Sequence, residues 1–394
     1  MEVELPSNSK LNLIKLVHVI SDTNIGGAGR YLLTFLEYYD KNKFEVSVIV
    51  PKNSKLLEFI PNAIEIDGIA DKSFSIKGVL EIRKVLKKIK PDIVHTHGAL
   101  SGRIGAKLAG VKNITYTRHS VFPPSVYLIK GVGFYLNKWL NNWTCKKIIA
   151  VAEAASQNLI DSGVDKEKIE VIYNGVKPLG VRTKEQNEEF LRSIEAKAGV
   201  PTLAIAARLT AVKGQKYIIE AAKQLAEVRG QRSDGRGQMV ESVPYCQIII
   251  AGTGEEYDNL KNLAKKLGVL GNYIILAGFV DDIEGLMNAC DIQLNASYGT
   301  EAASLALMEG MSLGKPSIVS DYGGNPELIA DGVNGIITPQ QAAEKIAEAI
   351  EKLLGDKELY KQMSENSKKI YEERFTAEKM VQKMEEFYAF LLQK

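Results

Sequence analysis

Cysteine and long apolar runs are scarce in this chain of 394 residues. The 3 cysteines stand far apart, without the spacing of a zinc site or the density of a disulfide scaffold: Cys145, Cys246 and Cys290. No stretch reaches the roughly 18–20 apolar residues that a membrane-spanning helix requires. The first apolar run, Leu13–Ile20, is interrupted by Lys15 and His18, so we predict no signal peptide and expect a cytoplasmic protein.

An excess of charge of one sign is also absent. Lys and Arg number 50 against 48 for Asp and Glu, which gives a net charge of +2 and no support for nucleic-acid binding. The hydrophobic fraction of 45% and the charged fraction of 25% are typical of a globular protein and exclude a collagen-like or disordered chain. A single hydrophobic core rarely grows beyond roughly 250–300 residues, so the length predicts two domains.

Short apolar runs rich in Ile and Val alternate with longer amphipathic stretches. This alternation predicts parallel strands covered by helices on both sides, and therefore an α/β fold of doubly wound, Rossmann-like sheets. The predicted strands are Ile14–Ile20, Glu45–Val50, Asp92–His95, Asn113–Thr117, Lys147–Val151, Leu203–Ala206, Gln247–Ala251, Tyr273–Ala277, Ile292–Asn295 and Pro316–Ser320. The predicted helices include Gly29–Tyr39, Ile76–Lys88, Lys216–Glu227, Glu256–Leu267, Ala303–Leu313, Gln341–Leu354 and Ala377–Leu392.

The α/β pattern runs twice, which predicts two similar domains that face each other across a cleft. The first run ends near Val171 and the second begins near Leu203, with a turn signal at Asn174–Pro178 that we interpret as part of an interdomain linker. Ligands of such sheets bind at the carboxyl ends of the strands, so the cleft should hold the site. Val228–Val243 is rich in Gly, Arg and Ser and predicts an exposed, mobile loop.

Two glycine-rich segments follow predicted strands. Gly26-Gly27-Ala28-Gly29 opens a helix, where backbone amides can approach a phosphate. Leu32 stands where the dinucleotide fingerprint requires a third glycine, so NAD binding is not predicted. For Gly252–Gly254, a phosphate-binding loop and a tight strand–helix turn are both consistent with the sequence.

Two pairs of charged residues lie where the predicted strands end. Arg208 and Lys213 could clamp a diphosphate, although exposed surface charges are the alternative interpretation. Glu301 and Glu309 bracket an apolar stretch, which places Glu309 about two turns into the predicted helix. A carboxylate with buried neighbours needs hydrogen-bond donors, and sugar hydroxyls can provide them.

Three histidines also lie at predicted strand ends. His95 and His97 could bind a metal, but no third ligand follows at a suitable spacing, so we predict no metal site. The alternative for His95 is a core histidine bonded to the backbone. His119 follows the strand Asn113–Thr117.

Residues 125–147 combine lysines with aromatic residues and contain no Asp or Glu. Tyr135, Trp139 and Trp143 are four residues apart and would share one face of a helix. The lysines of this segment are Lys130, Lys138, Lys146 and Lys147. Such a face suits peripheral contact with the inner membrane surface, while burial of the aromatic side chains in the core is the alternative.

Taken together, these motifs resemble the retaining glycosyltransferases of family 4, which have the GT-B fold of two Rossmann-like domains. The resemblance covers nearly the whole chain, and its most specific part runs from Glu301 through Glu309 to Glu327. Supporting motifs are Arg208-x4-Lys213-Gly214, Ile249–Gly254, Leu276–Phe279, Val171–Gly175, Asp92–His95 and Gly26-Gly27. The family often has Gly-Phe-Gly after the first Glu, where this chain has Ala302-Ala303-Ser304 beside the predicted sugar pocket.

The resemblance implies roles for individual residues. Arg208 and Lys213 should hold the donor diphosphate, which Gly27 should face from the other domain. Glu309 should bond the ribose, while Glu301 and His119 should face the transferred sugar. Phe279 and its neighbours should frame the base, and amides near Ser304–Ala306 should cap the distal phosphate. The implied catalytic residues are Glu301, His119, Arg208 and Lys213, and the implied donor-binding residues are Gly27, Arg208, Lys213, Gly252, Phe279, Glu301, Ser304, Leu305 and Glu309.

The resemblance also implies a domain division and a function. Residues 1–176 should form the acceptor domain, completed by the C-terminal helix 377–394, and residues 177–376 the donor domain. We expect a retaining glycosyltransferase that moves a sugar from a nucleotide-sugar donor to a glycan, lipid-linked or small-molecule acceptor. The chain contains no Asp-x-Asp, so we expect no metal or other cofactor. A nucleotide-sugar epimerase of the same fold, which would act on the donor alone, and a non-catalytic GT-B partner subunit are the alternatives.

Overall fold

The computed structural model describes residues 13–121, 131–230 and 244–393, which form two parallel β-sheets. The strands of the first sheet are β1 (Ile14–Ile20), β2 (Phe44–Pro51), β3 (Ile64–Ile66), β4 (Ile93–His97), β5 (Asn113–Arg118), β6 (Ile148–Ala150) and β7 (Ile169–Val171), in the order β3-β2-β1-β4-β5-β6-β7. The helices of this half are α1 (Gly27–Tyr38), α2 (Ile76–Ile89), α3 (Leu100–Ala109), α4 (Gly131–Thr144) and α5 (Glu153–Asp161).

The second sheet repeats this plan. Its strands are β8 (Thr202–Ala206), β9 (Gln247–Ala251), β10 (Ile274–Gly278), β11 (Ile292–Asn295), β12 (Ser317–Ser320) and β13 (Gly335–Thr338), in the order β10-β9-β8-β11-β12-β13. The remaining helices are α6 (Lys184–Ser193), α7 (Gln215–Gly230), α8 (Tyr257–Lys266), α9 (Ile283–Ala289), α10 (Leu305–Ser312), α11 (Asn325–Leu328), α12 (Ala343–Gly355), α13 (Lys357–Arg374) and α14 (Ala377–Gln393). Within the described residues, no helix combines the length and apolar character needed to cross a membrane.

Both sheets are doubly wound, as predicted. Each strand order reverses beside its first strand, between β1 and β4 and between β8 and β11, so each sheet has its switch point there. The sequence prediction missed three of the four outer strands, β3, β7 and β13, and found the fourth, β10. An outer strand has a partner on one side only, so these strands carry the weakest apolar signal. Of the predicted loop at 228–243, residues 228–230 form the end of α7 instead. Residues 231–243 lie outside the described residues.

The C-terminal helix packs against the first sheet, although it follows the second sheet in sequence. Met384 and Tyr388 of α14 are fully buried in the same cluster as Leu16 of β1 and Phe35 of α1. The polypeptide passes between the two halves at two adjacent places, near Val176 and near Phe375. The amide of Val176 donates to the carbonyl of Phe375 at 3.0 Å, and the amide of Ala377 donates to the carbonyl of Val176 at 3.1 Å. Two adjacent backbone crossings of this kind form a natural hinge between the halves.

A carboxylate from the second half caps a helix of the first half. α5 has Ala152 at its N-cap, which offers no side-chain acceptor to the first amides of the helix. Glu327 fills this role, since its two carboxylate oxygens accept from the amides of Glu153 and Ala154 at 2.7 Å each. A negative charge is favourable at a helix N-terminus, so this contact holds the two halves together on one side of the cleft.

Candidate active site

Glu301 lies at the carboxyl end of the second sheet and is nearly buried, with 9% exposure. Its Oε2 atom accepts from Lys213 Nζ at 2.9 Å, from Asn295 Nδ2 at 3.0 Å and from Ser297 Oγ at 3.3 Å. Asn295 ends β11, and Lys213 ends the 3₁₀ turn that follows β8, so neighbouring strands bring these groups together. No described residue bonds to Oε1 of Glu301, which leaves this oxygen available to a hydroxyl group.

Lys213 and Arg208 lie on the loop after β8, as predicted. Lys213 also donates to the carbonyl of Thr300 at 2.7 Å, and this second bond fixes its position beside Glu301. Arg208 is exposed and reaches toward the first half of the molecule, where it acts on Asp22 after β1. Burial and the nearby Asp71 raise the pKa of Asp22, while Arg208 opposes this rise. Arg208 therefore places a positive charge in the cleft, near Asp22 and without a hydrogen bond from its side chain to any described residue.

Glu309 is buried in the second turn of α10, with 4% exposure. Its Oε1 atom accepts from Nη2 of Arg30, in the first turn of α1, and this ion pair joins the two halves. Its Oε2 atom is buried and forms no hydrogen bond with any described residue. The sequence analysis missed Arg30, although its place three residues after Gly27 at the start of a helix was a usable signal.

A cavity of about 330 Å³ lies beside this ion pair. Residues of both halves line it, among them Arg30 and Thr34 of α1 and Leu305 and Glu309 of α10. The cavity therefore offers space for a ligand next to the buried carboxylate of Glu309.

The N-termini of two helices also face this region. Ser304 is the N-cap of α10, and its Oγ atom accepts from the amide of Leu307 at 3.4 Å. No described group accepts from the amides of Leu305 and Ala306, so these amides can bind an anion. α1 begins at Gly27, and a Cβ atom placed there would have no neighbour within 4 Å. Gly27 is exposed and leaves open space for a ligand.

Gly252 requires a correction. Its amide donates to the carbonyl of Gly278 at 2.6 Å and is not free to bind a phosphate. Its φ of +146° and the carbonyl of Ala207, only 2.0 Å from where a Cβ atom would lie, both require glycine. The tight-turn interpretation is therefore the correct one, and the implied donor-binding role of Gly252 loses its support. Phe279, by contrast, is 70% exposed just after β10 and is accessible to a ligand.

His119 lies at the carboxyl end of the first sheet, just after β5, and is partly exposed. Its Nε2 atom is 3.0 Å from Nδ1 of His97, and its ring packs edge-on against Tyr31. The structure corrects two details for the other histidines, although His95 is fully buried in the core, as its alternative interpretation had it. A third histidine, His18, does lie beside His95 and His97, because β1 and β4 are adjacent in the sheet. His95 bonds to side chains rather than to the backbone, with Tyr388 Oη at 2.6 Å and Thr117 Oγ1 at 2.7 Å.

Tyr135, Trp139 and Trp143 of α4 are exposed and do not enter the core. Exposure is 70% for Tyr135, 56% for Trp139 and 37% for Trp143, and the two Trp rings stack with centroids 5.1 Å apart. Val132 and Leu136 extend this apolar face.

The expected lysines around this face need a correction. Lys146 donates to the carbonyl of Leu391 at 2.6 Å, and Lys147 donates to that of Glu167 at 2.6 Å, so both are held by the protein itself. Lys138 pairs with Asp165 at 3.3 Å, and Lys130 lies outside the described residues. Asp165 therefore offsets the charge of Lys138, while Lys146 and Lys147 keep their charges but are less free to reach a membrane than the sequence suggested.

Comparisons with known proteins agree with this architecture. Residues 25–178 match the family Glycosyltransferase Family 4, and residues 186–370 match Glycosyl transferases group 1. A relative from Escherichia coli, UDP-Gal:alpha-D-GlcNAc-diphosphoundecaprenol alpha-1,3-galactosyltransferase, is 27% identical over 95% of this chain and 96% of its own length. An uncharacterized glycosyltransferase of Methanocaldococcus jannaschii is 28% identical over 78% of this chain and 77% of its own.

Solved structures show the same fold. A glycosyltransferase from Rickettsia africae has a TM-score of 0.77 at 22% identity and covers 97% of this chain and 100% of its own. HepE of Anabaena, solved with UDP and glucose, has a TM-score of 0.78 at 22% identity and covers 95% of this chain and 99% of its own. The two paired sheets, the order of their strands and the family matches along the chain lead to one assignment. The chain belongs to the group 1 glycosyltransferases and has their GT-B fold.

Proposed function

We propose that this glycosyltransferase moves a hexose from a nucleotide-sugar donor to a glycan or lipid-linked acceptor, with retention of the anomeric configuration. The observation that carries the proposal is the position of two buried carboxylates on either side of the free amides of α10. Glu301 precedes these amides, and Glu309 lies about 6 Å along the helix from its first residue. A nucleotide sugar has the same order, with a sugar, a diphosphate and a ribose in a row.

The donor then binds in a defined direction. The amides of Leu305 and Ala306 donate to the distal phosphate, the free oxygen of Glu301 accepts from sugar hydroxyls, and Glu309 accepts from a ribose hydroxyl. Glu309 already has one buried oxygen without a partner, which a ribose hydroxyl can satisfy. The solved structures of HepE with UDP and with UDP-glucose support a nucleotide-sugar donor, since they share this fold.

Transfer requires stabilisation of the leaving diphosphate. Arg208 and Lys213 supply two positive charges, and the N-terminus of α10 adds its dipole, so the negative charge is neutralised by groups already in place. The chain has no Asp-x-Asp with which to hold a metal ion beside the diphosphate. In front-face transfer, the leaving phosphate oxygen takes the proton of the acceptor hydroxyl, and no enzymic nucleophile takes part.

The choice of a lipid-linked acceptor is supported by a separate observation. The Escherichia coli relative is named for transfer to a diphosphoundecaprenol-linked sugar. The exposed aromatic face of α4 belongs to the half of the chain that carries the acceptor in our interpretation, and it suits the surface of a membrane. We therefore place a lipid-linked acceptor ahead of a soluble glycan or a small molecule.

A donor screen followed by a product assay tests the proposal. Thermal shift with a panel of nucleotides and nucleotide sugars should identify one nucleotide, because a ligand of the native state raises the unfolding temperature. Incubation of that nucleotide sugar with a lipid-linked sugar should give a product whose new linkage keeps the donor's anomeric configuration by NMR. Conversion of the donor without an acceptor would instead support the epimerase, and binding without turnover would support a non-catalytic subunit.

A further inference from the structure

All 4 histidines of the chain gather at one place in the first half of the molecule. For His18 and His97, the Nδ1···Nε2 distance is 3.0 Å, the ring centroids are 5.2 Å apart and the ring planes differ by 13°. For His97 and His119, the Nδ1···Nε2 distance is also 3.0 Å, with the centroids 5.3 Å apart. In both pairs the nitrogen atoms lie much closer than the ring centres. The rings therefore meet edge to edge, and the three imidazoles form one hydrogen-bonded chain.

The same cluster has the spacing of a metal site, because nitrogens of His18, His95 and His97 lie within 4.8 Å of one another. Its hydrogen bonds argue for a different role. Where two imidazoles bond edge to edge, the lone pair of one nitrogen points at the hydrogen of the other, and neither points at a common centre. Both nitrogens of His95 are bonded to hydroxyl groups, so among His18, His95 and His97 only Nε2 of His18 lacks a partner in the described residues. A zinc site needs three or four protein ligand atoms directed at the ion, and these three histidines do not offer them.

The three imidazoles of this hydrogen-bonded chain, those of His18, His97 and His119, are neutral. Burial lowers the pKa of His18 and that of His119 to about 3, and it lowers the pKa of His97 well below its usual value. A neutral imidazole has one N–H donor and one acceptor nitrogen. Each ring that donates to one neighbour must accept from the other. The two hydrogen bonds between the three rings therefore both point from His18 toward His119, or both point the opposite way.

The buried Nε2 atom of His18, at one end of the three hydrogen-bonded rings, decides the direction of these bonds. If the bonds ran from His119 to His18, Nε2 of His18 would carry a buried N–H without a partner. In the opposite direction it carries only a lone pair. A buried N–H without a partner is rarer and more costly than an acceptor without one, so the second direction is favoured. His18 then donates to His97, His97 donates to His119, and the proton of His119 lies on Nδ1.

We propose that His18 and His97 are positioning residues that fix His119 as the Nδ1–H tautomer and make it a hydrogen-bond donor in the cleft. His119 is partly exposed, and no described residue bonds to its Nδ1 atom. Its only lone pair, on Nε2, is occupied by His97, so His119 cannot take a proton from the acceptor hydroxyl. That the Nδ1–H group of His119 donates to a sugar hydroxyl rests on the proposed function. The assignment of the tautomer does not depend on that function.

The tautomer can be measured directly by long-range ¹H–¹⁵N NMR on the full chain labelled at histidine, with signals assigned by single substitutions. We expect His119 to be protonated at Nδ1, with neutral rings at pH 7. Protonation of His119 at Nε2, or a zinc ion found bound in the purified protein by elemental analysis, would overturn the proposal. This measurement needs no donor, so it stands even if the proposed function fails.

Substitutions then test whether the hydrogen-bonded chain of three rings sets the tautomer of His119. His97→Gln should release the constraint and give a mixture of His119 tautomers. The matched control is His95→Gln, which alters the same buried cluster but lies outside the chain of three rings, and it should leave the tautomer of His119 unchanged. Equal effects of the two substitutions would show that general packing, and not the hydrogen-bonded chain, sets the tautomer.

Activity gives a second readout, which depends on the proposed function. His119→Asn keeps an N–H donor near the place of Nδ1 but has no basic nitrogen, whereas His119→Leu has neither. We expect His119→Leu to lower kcat on the order of 10²–10³-fold, as for loss of one preorganised donor, and His119→Asn to restore most of that loss. If both variants are equally inactive while donor binding is intact, His119 acts as a base and the proposal is wrong.

Discussion

Arg30 on α1 and Glu309 on α10 form an ion pair that connects the two halves of the molecule. The Glu309 side chain is almost fully buried, while the Arg30 side chain keeps 41% exposure. Removal of one member of a buried pair leaves a charge without a partner, which costs more than removal of both. The ion pair therefore holds the carboxylate that we assign to the ribose, and it closes the cleft beside the 330 Å³ cavity.

We expect the two residues to be energetically coupled. In a double-mutant cycle, Arg30→Met and Glu309→Gln should each lower the stability, and the double variant should be more stable than the sum of the single losses predicts. The coupling should be roughly 0.5–3 kcal/mol, measured by denaturant unfolding. Strict additivity of the two changes would mean that the pair does not form in solution.

The diphosphate clamp predicts large losses of activity with an intact fold. Arg208→Ala and Lys213→Ala should each lower kcat on the order of 10²–10³-fold, because each removes a charge that stabilises the leaving phosphate. The matched control is Arg192→Ala, since Arg192 is an exposed cation that pairs with Glu188 on α6. Near-normal turnover of both clamp variants, measured under saturating donor, would refute this assignment.

We predict that transfer needs no metal ion, because the sequence contains no Asp-x-Asp with which to hold one beside the diphosphate. Turnover in excess EDTA should stay close to turnover with added magnesium or manganese, because fixed cations neutralise the leaving group. The measurement is an initial rate at saturating donor and acceptor. A large loss with EDTA that magnesium or manganese restores would show that a metal performs part of this role.

The buried histidines predict a loss of stability in mild acid. The folded pKa of His18 and that of His119 are lowered to about 3, whereas an unfolded histidine has a pKa near 6.5. Below pH 6.5 the unfolded chain therefore binds more protons than the native one. This stabilisation is present above pH 6.5 and is lost as the pH falls toward the folded pKa.

Between pH 7.5 and pH 5.5, the free energy of unfolding should fall by about 1 kcal/mol for each buried histidine. Thermal unfolding followed by tryptophan fluorescence measures this decline. His18→Gln should be less stable at pH 7.5 but should show a shallower decline, because one titrating group is gone. A stability that stays constant over this range would mean that the histidines are accessible to protons in the native state.

The exposed face of α4 predicts reversible binding to anionic membranes. Wild-type protein should sediment with anionic liposomes at low salt, and Trp139→Ala should weaken binding, because its ring is 56% exposed and can enter the lipid interface. Phe59→Ala is the matched control, since Phe59 is 60% exposed but lies elsewhere. Equal binding of the wild type and Trp139→Ala, or no binding at low salt, would exclude this surface.

The short-range pattern of the sequence was enough for most of the fold. Continuous Ile and Val runs and amphipathic stretches identified the central strands and main helices, because their burial on both sides is encoded within a few neighbouring residues. The same holds for Glu301, Lys213 and the start of α10, which lie next to the strand ends that position them. Three of the four outer strands were missed, because segments of only three or four residues with partial exposure carry little periodic signal.

The tertiary structure alone decided which distant residues meet. Arg30 and Glu309 are separated by 279 positions, and His18 and His97 by 79, so no local pattern connects them. Their contacts arise from the strand order, the pairing of β1 with β4 and the approach of the two halves. The amide of Gly252 and the side chains of Lys146 and Lys147 likewise found partners far along the chain. Local composition determines which segments form strands and helices, but hydrogen-bond partners across a cleft depend on packing that only the folded chain establishes.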